Sequence, residues 1–255
     1  MALIFLYNMQ LLHLIFTLYI SLIFKSPPNM KDAPLTFTHV TRPVQSSKEN
    51  SQNQKPGVVF MLHGYGSNEH DLFSFSNQIP EDLFVISLRA PLDLPPSGHA
   101  WYTIHWDTTS GKFNDIPEAK KAILDLEVFI KAACEKYNLD ATNVTLLGFS
   151  QGCILSLALA LENPSLIKNV IGLSGYLDPN MLTEKSVHTP NETSALNIFV
   201  SHGTLDEVIP IDWARKTPEV LAQFGVTTHL REYPIGHGVS MENLQDFVTW
   251  LNANK

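Results

Sequence analysis

The segment Asn143-Val144-Thr145-Leu146-Leu147-Gly148-Phe149-Ser150-Gln151-Gly152 constrains the fold of this chain more than any other. Its apolar, β-branched run reads as a strand, its Gly-x-Ser-x-Gly pentapeptide as a tight turn, and the apolar residues from Cys153 to Ala160 as a helix. Turning from strand to helix in so few residues presses backbone against backbone and leaves no room for side chains at Gly148 and Gly152. The same turn aims the Ser150 oxygen out of the sheet, toward a helix N-terminus whose unpaired N–H groups attract an anion. A Gly/Ser turn between two core elements is the plainer reading of these residues, so the rest of the chain has to decide between the two.

The alternation continues on both sides. Val58–Leu62, Leu83–Leu88, Asn169–Tyr176 and Asn197–Gly203 are further apolar runs, with an alternating strand over Leu35–Val40 and another over Val226–Tyr233. Helices are expected over Glu69–Ile79, from Pro117 to about Tyr137, over Ile211–Phe224 with a break or kink at Pro218, and over Ser240–Asn252. Residues 46–56, 92–117 and 178–196 read as loops or irregular chain. Strands alternating with helices, most strands continuously apolar, imply an α/β fold with a mostly parallel central sheet and helices on both faces. No inserted segment is long enough for a separate cap domain. At 255 residues and 44% hydrophobic, the chain has enough apolar material for a substantial core.

Ala2 to Phe24 is almost wholly apolar and long enough to cross a bilayer. It has no Lys or Arg ahead of it and no Ala-x-Ala cleavage pattern, while Lys25 and Lys31 follow it. Residues 1–29 therefore read in three ways: a translated upstream region before a true start at Met30, a membrane anchor, or a signal peptide. Residues 30–255 are expected to form one domain. With Met30 as the start the chain is expected in the cytoplasm; otherwise it is membrane-anchored or secreted.

The formal net charge of −8, with scattered Lys and Arg, argues against nucleic acid as a partner. A membrane is a partner only if residues 2–24 stay as an anchor, and a homodimer is compatible with the sequence. The two cysteines, Cys134 and Cys153, fall in apolar helical patterns and read as small buried hydrophobes. No Cys/His spacing suggests a metal, and no cofactor is expected.

A serine hydroxyl becomes a nucleophile when a base takes its proton and an acid orients the base. In a parallel α/β sheet such residues sit on loops at the carboxyl ends of strands, which leaves few candidates. The strand ending at Ser201 runs into Gly203-Thr204-Leu205-Asp206-Glu207, and the strand ending near Glu232 runs into Gly236-His237-Gly238. His237 is the candidate base. Asp206 is the favoured acid over its neighbour Glu207 and the more distant Asp212, because the shorter side chain suits a close, fixed bond to the imidazole. His202 reads as structural, fixing the turn that presents Asp206, and His63 as a hydrogen-bonding residue of its own loop. An oxyanion needs two preorganised N–H donors. Gln151 offers one, and the glycine-rich loop after Leu62 leaves the Tyr65 N–H free to offer the other.

With these residues in hand, the chain resembles the phospholipase/carboxylesterase family of α/β-hydrolases, the group that contains bacterial carboxylesterases and the acyl-protein thioesterases. The resemblance rests on Leu62-His63-Gly64-Tyr65-Gly66, Arg89-Ala90-Pro91 followed by Trp101-Tyr102, the serine pentapeptide, His202 to Pro210, and Gly236-His237-Gly238, in family order. It implies an α/β-hydrolase fold without a large cap. It also implies metal-independent cleavage of small-molecule carboxylic esters or thioesters, by Ser150, Asp206 and His237 with Tyr65 and Gln151 as oxyanion donors. Tyr65 stands where many members carry leucine, so its ring is expected to narrow the pocket mouth. Trp101-Tyr102-Thr103-Ile104 replaces the family's Trp-Phe/Tyr-Asp continuation, which usually helps line the acyl site. Trp101, Tyr102 and Leu205 are accordingly the expected pocket residues.

Overall fold

Runs of apolar residues form strands where both faces can be covered, and here they do so side by side. The computed structural model describes residues 35–45, 54–107, 111–186, 193 and 195–255. The expectations for residues 1–34, and those for residues 46–53, 108–110, 187–192 and 194 within the predicted loops, lie outside the described residues. In chain order the strands are β1 (His39–Arg42), β2 (Val58–Leu62), β3 (Phe84–Leu88), four short strands β4 (Leu92–Leu94), β5 (Gly98–Ala100), β6 (Ile104–Asp107) and β7 (Gly111–Asn114), and then β8 (Val144–Phe149), β9 (Asn169–Leu173), β10 (Asn197–Gly203) and β11 (Leu230–Tyr233). The helices are α1 (Ile116–Lys136), α2 (Gln151–Glu162), α3 (Ile211–Arg215), α4 (Thr217–Gln223) and α5 (Met241–Asn254).

Seven strands form the main sheet in the order β1-β3-β2-β8-β9-β10-β11, with β1 antiparallel to β3 and every other pairing parallel. This is the mostly parallel α/β sheet, covered by helices on both faces, that the sequence pattern predicts. Strand β2 is buried at all five positions, and its side chains alternate between two cores. Val58, Phe60 and Leu62 join the cluster under α1 and α2, while Val59 and Met61 join the cluster under α5 and the short 3₁₀ helix Leu72–Gln78. Helix α2 is buried along its whole length, which is why its sequence is apolar on every side. Helix α1 presents one apolar face to the sheet, opens on the Asp115 carboxylate accepting from the Glu118 N–H, and carries Pro117 in its first turn.

Several boundaries differ from the periodicity. Within the segment 92–117 the described residues are not all irregular: they include two antiparallel strand pairs, β4–β5 and β6–β7, whose strands of three or four residues are too short to carry a legible alternation. The helix expected over Glu69–Ile79 is the 3₁₀ helix Leu72–Gln78. The helix expected over Ile211–Phe224 is two helices divided at Lys216, which places Pro218 in the first turn of α4, where its missing N–H has no bond to lose. The first strand is displaced to His39–Arg42, and the last shrinks to the four residues that pair with β10.

The pentapeptide turn is held by close backbone approach. A Cβ on Gly152 would lie 2.0 Å from the Leu62 carbonyl oxygen and 2.8 Å from that of His63, and one on Gly148 would lie 2.3 Å from the Gly152 oxygen. Since the clashing atoms are backbone, neither strand nor helix can yield. Gly152→Ala is expected to cost more than about 3 kcal/mol, in the range of severe backbone or packing lesions. By contrast Gly238→Ala, where a Cβ meets nothing within 4 Å, should change stability little. Urea unfolding midpoints of the two variants test this contrast.

Candidate active site

Ser150 sits between β8 and α2 with φ 52° and ψ −115°, a conformation that costs a non-glycine residue on the order of 1–3 kcal/mol and persists only when its surroundings impose it. Its N–H donates to the Leu173 carbonyl at 2.9 Å, so the neighbouring strand holds the strained residue in place. The sequence brings two later loops to this point. The Leu205 N–H donates to Ile235 O at 3.0 Å and the Thr204 N–H to Tyr233 O at 2.8 Å, tying the loop after β10 to the loop after β11. A Cβ on Gly203 would lie 2.3 Å from the carbonyl oxygens of Ile235 and Gly236, so the contact needs a glycine there. The Ser174 hydroxyl donates to Gly238 O at 3.1 Å on the other side of His237.

The result is a continuous chain of hydrogen bonds. His237 Nε2 lies 3.0 Å from Ser150 Oγ, and His237 Nδ1 lies 2.7 Å from Asp206 Oδ2. The tautomer that serves both contacts carries its proton on Nδ1, donates it to the carboxylate, and leaves Nε2 to accept from the serine. Asp206 has a fully buried side chain, and its other oxygen accepts the N–H groups of Val208 at 2.8 Å and Ile209 at 2.9 Å. Burial pushes the Asp206 carboxyl up, but the Ile209 N–H, the His237 ring and the Val208 N–H outweigh it and hold the group below its ordinary range. It stays an anion where the site needs one. The rival carboxylates point away: Glu207 is exposed, and Asp212 is exposed and paired with Arg215 at 3.1 Å.

His202 is completely buried, with Nε2 2.9 Å from Ile209 O and 3.1 Å from Asp206 Oδ2. It braces both ends of the turn that presents Asp206. His63 is equally buried. It donates from Nδ1 to Gly64 O at 2.7 Å and accepts the Ala90 N–H on Nε2 at 3.1 Å, and burial pushes its pKa down, consistent with a neutral ring. The loop it shapes passes beside the serine: a Cβ on Gly64 would lie 3.3 Å from Ser150 Cβ. Gly66 takes φ 80° and donates its N–H to His99 O, which folds the loop over and turns the Tyr65 side chain outward, 46% exposed. Gln151 is the first residue of α2, so its backbone N–H has no partner within the helix.

Of the expected pocket residues, the structure brings one to the site. A cavity of about 270 Å³ opens beside Ser150 and His237. Its lining includes Tyr65, Tyr102, Ile154 and Val208. Trp101 is not on it: it is buried, with Nε1 donating to His63 O at 2.9 Å. Leu205 is not on it either; it is 65% exposed on the outside of the acid turn. Trp101 and Tyr102 lie in the bend between β5 and β6, where the Trp101 ring packs inward on the His63 loop and Tyr102 lines the cavity.

Three contributions were not legible beforehand. The Gln151 side chain accepts the Trp101 N–H at 2.8 Å and donates to Tyr102 O at 2.7 Å, so the residue after the serine also anchors the pocket wall. Asn114, Tyr176 and Trp213 reach the cavity from three separate elements, which no local pattern announces. Glu69, four residues after Tyr65, is buried and takes a two-point bond from Arg89 at 2.7 and 2.6 Å, pinning the glycine loop to the end of β3. The Arg89 bonds hold the Glu69 carboxyl down at about 2, against an ordinary value of 4.5.

That depression has a sign. The stability Glu69 contributes is fully present above about 4.5 and is lost as the pH falls toward about 2. The difference in unfolding free energy between the wild type and Glu69→Gln should be large at pH 6 and shrink steadily across that window. Denaturant titrations at several pH values check it; a difference independent of pH would mean that the ion pair does not hold the loop.

Comparison with known proteins places this geometry in context. The sequence profile described as Phospholipase/Carboxylesterase matches residues 44–255. An acyl-protein thioesterase 1 of Candida albicans is 27% identical over 217 residues, 79% of this chain and 93% of that protein. A protein of Arabidopsis thaliana named a probable carboxylesterase, SOBER1-like, is 30% identical over 222 residues, 81% of this chain and 82% of its own length. Among solved structures, a Bacillus cereus carboxylesterase superposes with a TM-score of 0.71 at 17% identity, covering 86% of this chain and 95% of its own. At that identity the superposition speaks for the fold alone.

Proposed function

The chain belongs to the phospholipase/carboxylesterase family, and from that premise we propose a serine esterase that cleaves carboxylic esters of short to medium acyl chain through Ser150, His237 and Asp206. At the coarser level it is an α/β-hydrolase of the esterase/thioesterase class, acting on small-molecule esters or thioesters. One observation supports the choice of residues: the unbroken chain of contacts from Ser150 Oγ through His237 to Asp206, at 3.0 and 2.7 Å.

In this reading Ser150 Oγ attacks the acyl carbonyl as His237 Nε2 takes its proton. The imidazolium that forms is stabilised by the Asp206 carboxylate, which is already fully hydrogen-bonded and so has no cause to reorganise. The N–H groups of Tyr65 and Gln151 bind the oxygen as it becomes an anion. His237 then returns the proton to the departing alkoxide, leaving an acyl-enzyme. A water molecule, deprotonated by the same nitrogen, releases the acid and restores the serine. The strained backbone of Ser150 supports this role, since such strain is retained where an atom must be presented in one direction. A second reading, thioester hydrolysis, is favoured by the yeast relatives named acyl-protein thioesterases and uses the same residues.

Ser150→Ala is expected to lower kcat for p-nitrophenyl butyrate by at least about three orders of magnitude and to abolish labelling by a fluorophosphonate, with an unchanged circular dichroism spectrum. Asp206→Asn should lower kcat by up to about 10⁴-fold while leaving the serine in place. Retained hydrolysis in the first variant would refute the assignment. Matched ester and thioester series of equal acyl length decide between the two leaving groups, the ester reading requiring the larger kcat/KM on the oxygen ester.

A further inference from the structure

Next to the cavity at Ser150 lies a second, larger one that opens to solvent past Phe113, Asn180 and Lys216, about 530 Å³ against about 270 Å³. Asn114, Tyr176 and Trp213 line both. These three side chains are joined to one another. The Asn114 amide donates to the Tyr176 hydroxyl at 3.0 Å and to Asp178 Oδ2 at 3.0 Å, and the Trp213 ring meets the Tyr176 ring edge to face at 5.1 Å and 75°. Asp178 is itself buried and held by the Asn180 N–H and amide at 3.0 Å. The partition is therefore pinned from two sides, by a polar contact on β7 and an aromatic contact on α3.

The orientation of a substrate follows from the proton it must receive. The leaving-group oxygen has to face His237 Nε2, which shares the cavity wall with the exposed Tyr65. The apolar wall of Tyr102, Ile154 and Tyr176 is then the one open to the acyl chain. We infer that the Asn114–Tyr176–Trp213 partition sets the acyl-chain length this site accepts, and that removing it joins the second cavity to the first and admits longer acyl groups. The inference rests on the esterase reading above and deepens it. The near cavity falls at the small end of ligand sites, which run from about 300 to 1,000 Å³, so a chain that fills it has no further room while the partition stands. Beyond it, Leu177 and Val220 offer apolar wall to a longer chain.

The experiment is a ratio of kcat/KM for p-nitrophenyl dodecanoate to that for p-nitrophenyl butyrate, in wild type, Tyr176→Ala, Tyr176→Phe and Trp213→Ala. Each buried methylene contributes about fourfold in affinity, so seating even two more predicts a rise in the ratio of about tenfold or more for Tyr176→Ala. Trp213→Ala, at a residue 39% exposed on a short helix, should raise it in the same direction, and Tyr176→Phe, which keeps the ring and loses the Asn114 bond, by less. A ratio within one enzyme is insensitive to the fraction of protein that folds. An unchanged ratio in both alanine variants would overturn the inference, as would a shift seen only when the alcohol of an acetate ester is lengthened instead of the acyl group. Failure of the esterase reading looks different: wild-type protein that neither hydrolyses any ester of the series nor takes a fluorophosphonate label refutes both.

Discussion

Everything at the site depends on one close approach, the first turn of α2 against the carboxyl end of β2. The carbonyl oxygens of Leu62 and His63 stand where any Cβ on Gly152 would be, and the Gly152 oxygen stands where any Cβ on Gly148 would be. This contact does two things at once. It forces Ser150 into a backbone conformation that turns its oxygen out of the sheet, and it brings the loop that follows β2 beside the serine, where a Cβ on Gly64 would lie 3.3 Å from Ser150 Cβ. The positions of Ser150 and of the glycine loop beside it are thus set by the same pair of missing side chains.

The second organising element is the Asp206 carboxylate. Four groups converge on it: two backbone N–H donors from its own turn, the ring of His202 from beneath, and the ring of His237 from the next loop. Burial alone would push such a carboxyl toward neutrality, and the donors reverse the direction. A residue that is both anionic and immobile can orient an imidazole without paying for rearrangement when that imidazole becomes charged. The tie between the loops after β10 and β11, through Gly203, is what keeps the acid and base within reach of each other.

Much of this was legible in the linear chain because it rests on short-range rules. Continuous apolar runs marked β2, β8, β9 and β10, the 3.6-residue spacing marked α1, and the rule that functional residues follow strand ends led to Ser150, Asp206 and His237 without knowledge of their distances. The misreadings share a cause. The paired strands within residues 92–114 are too short for alternation to show, and the break before Pro218 falls where the proline fits best, not at the proline itself. Trp101 and Leu205 are expected at the pocket from the motifs they belong to, yet both lie in bends or turns that carry no face-setting period: Trp101 turns inward onto the His63 carbonyl and Leu205 outward to solvent.

Local sequence therefore determined the sheet, its flanking helices, the strained turn at Ser150 and which candidate residues would meet at the strand ends. Steric demands at glycine and the period of apolar residues act over a few positions and need no partner from elsewhere. Tertiary structure alone decided that Glu69 locks the glycine loop to Arg89, and how large a space lies beside the serine. The walls of that space come from β7, the segment after β9 and α3, residues up to 99 positions apart between Asn114 and Trp213, and no pattern within any one of them records where the others will stand.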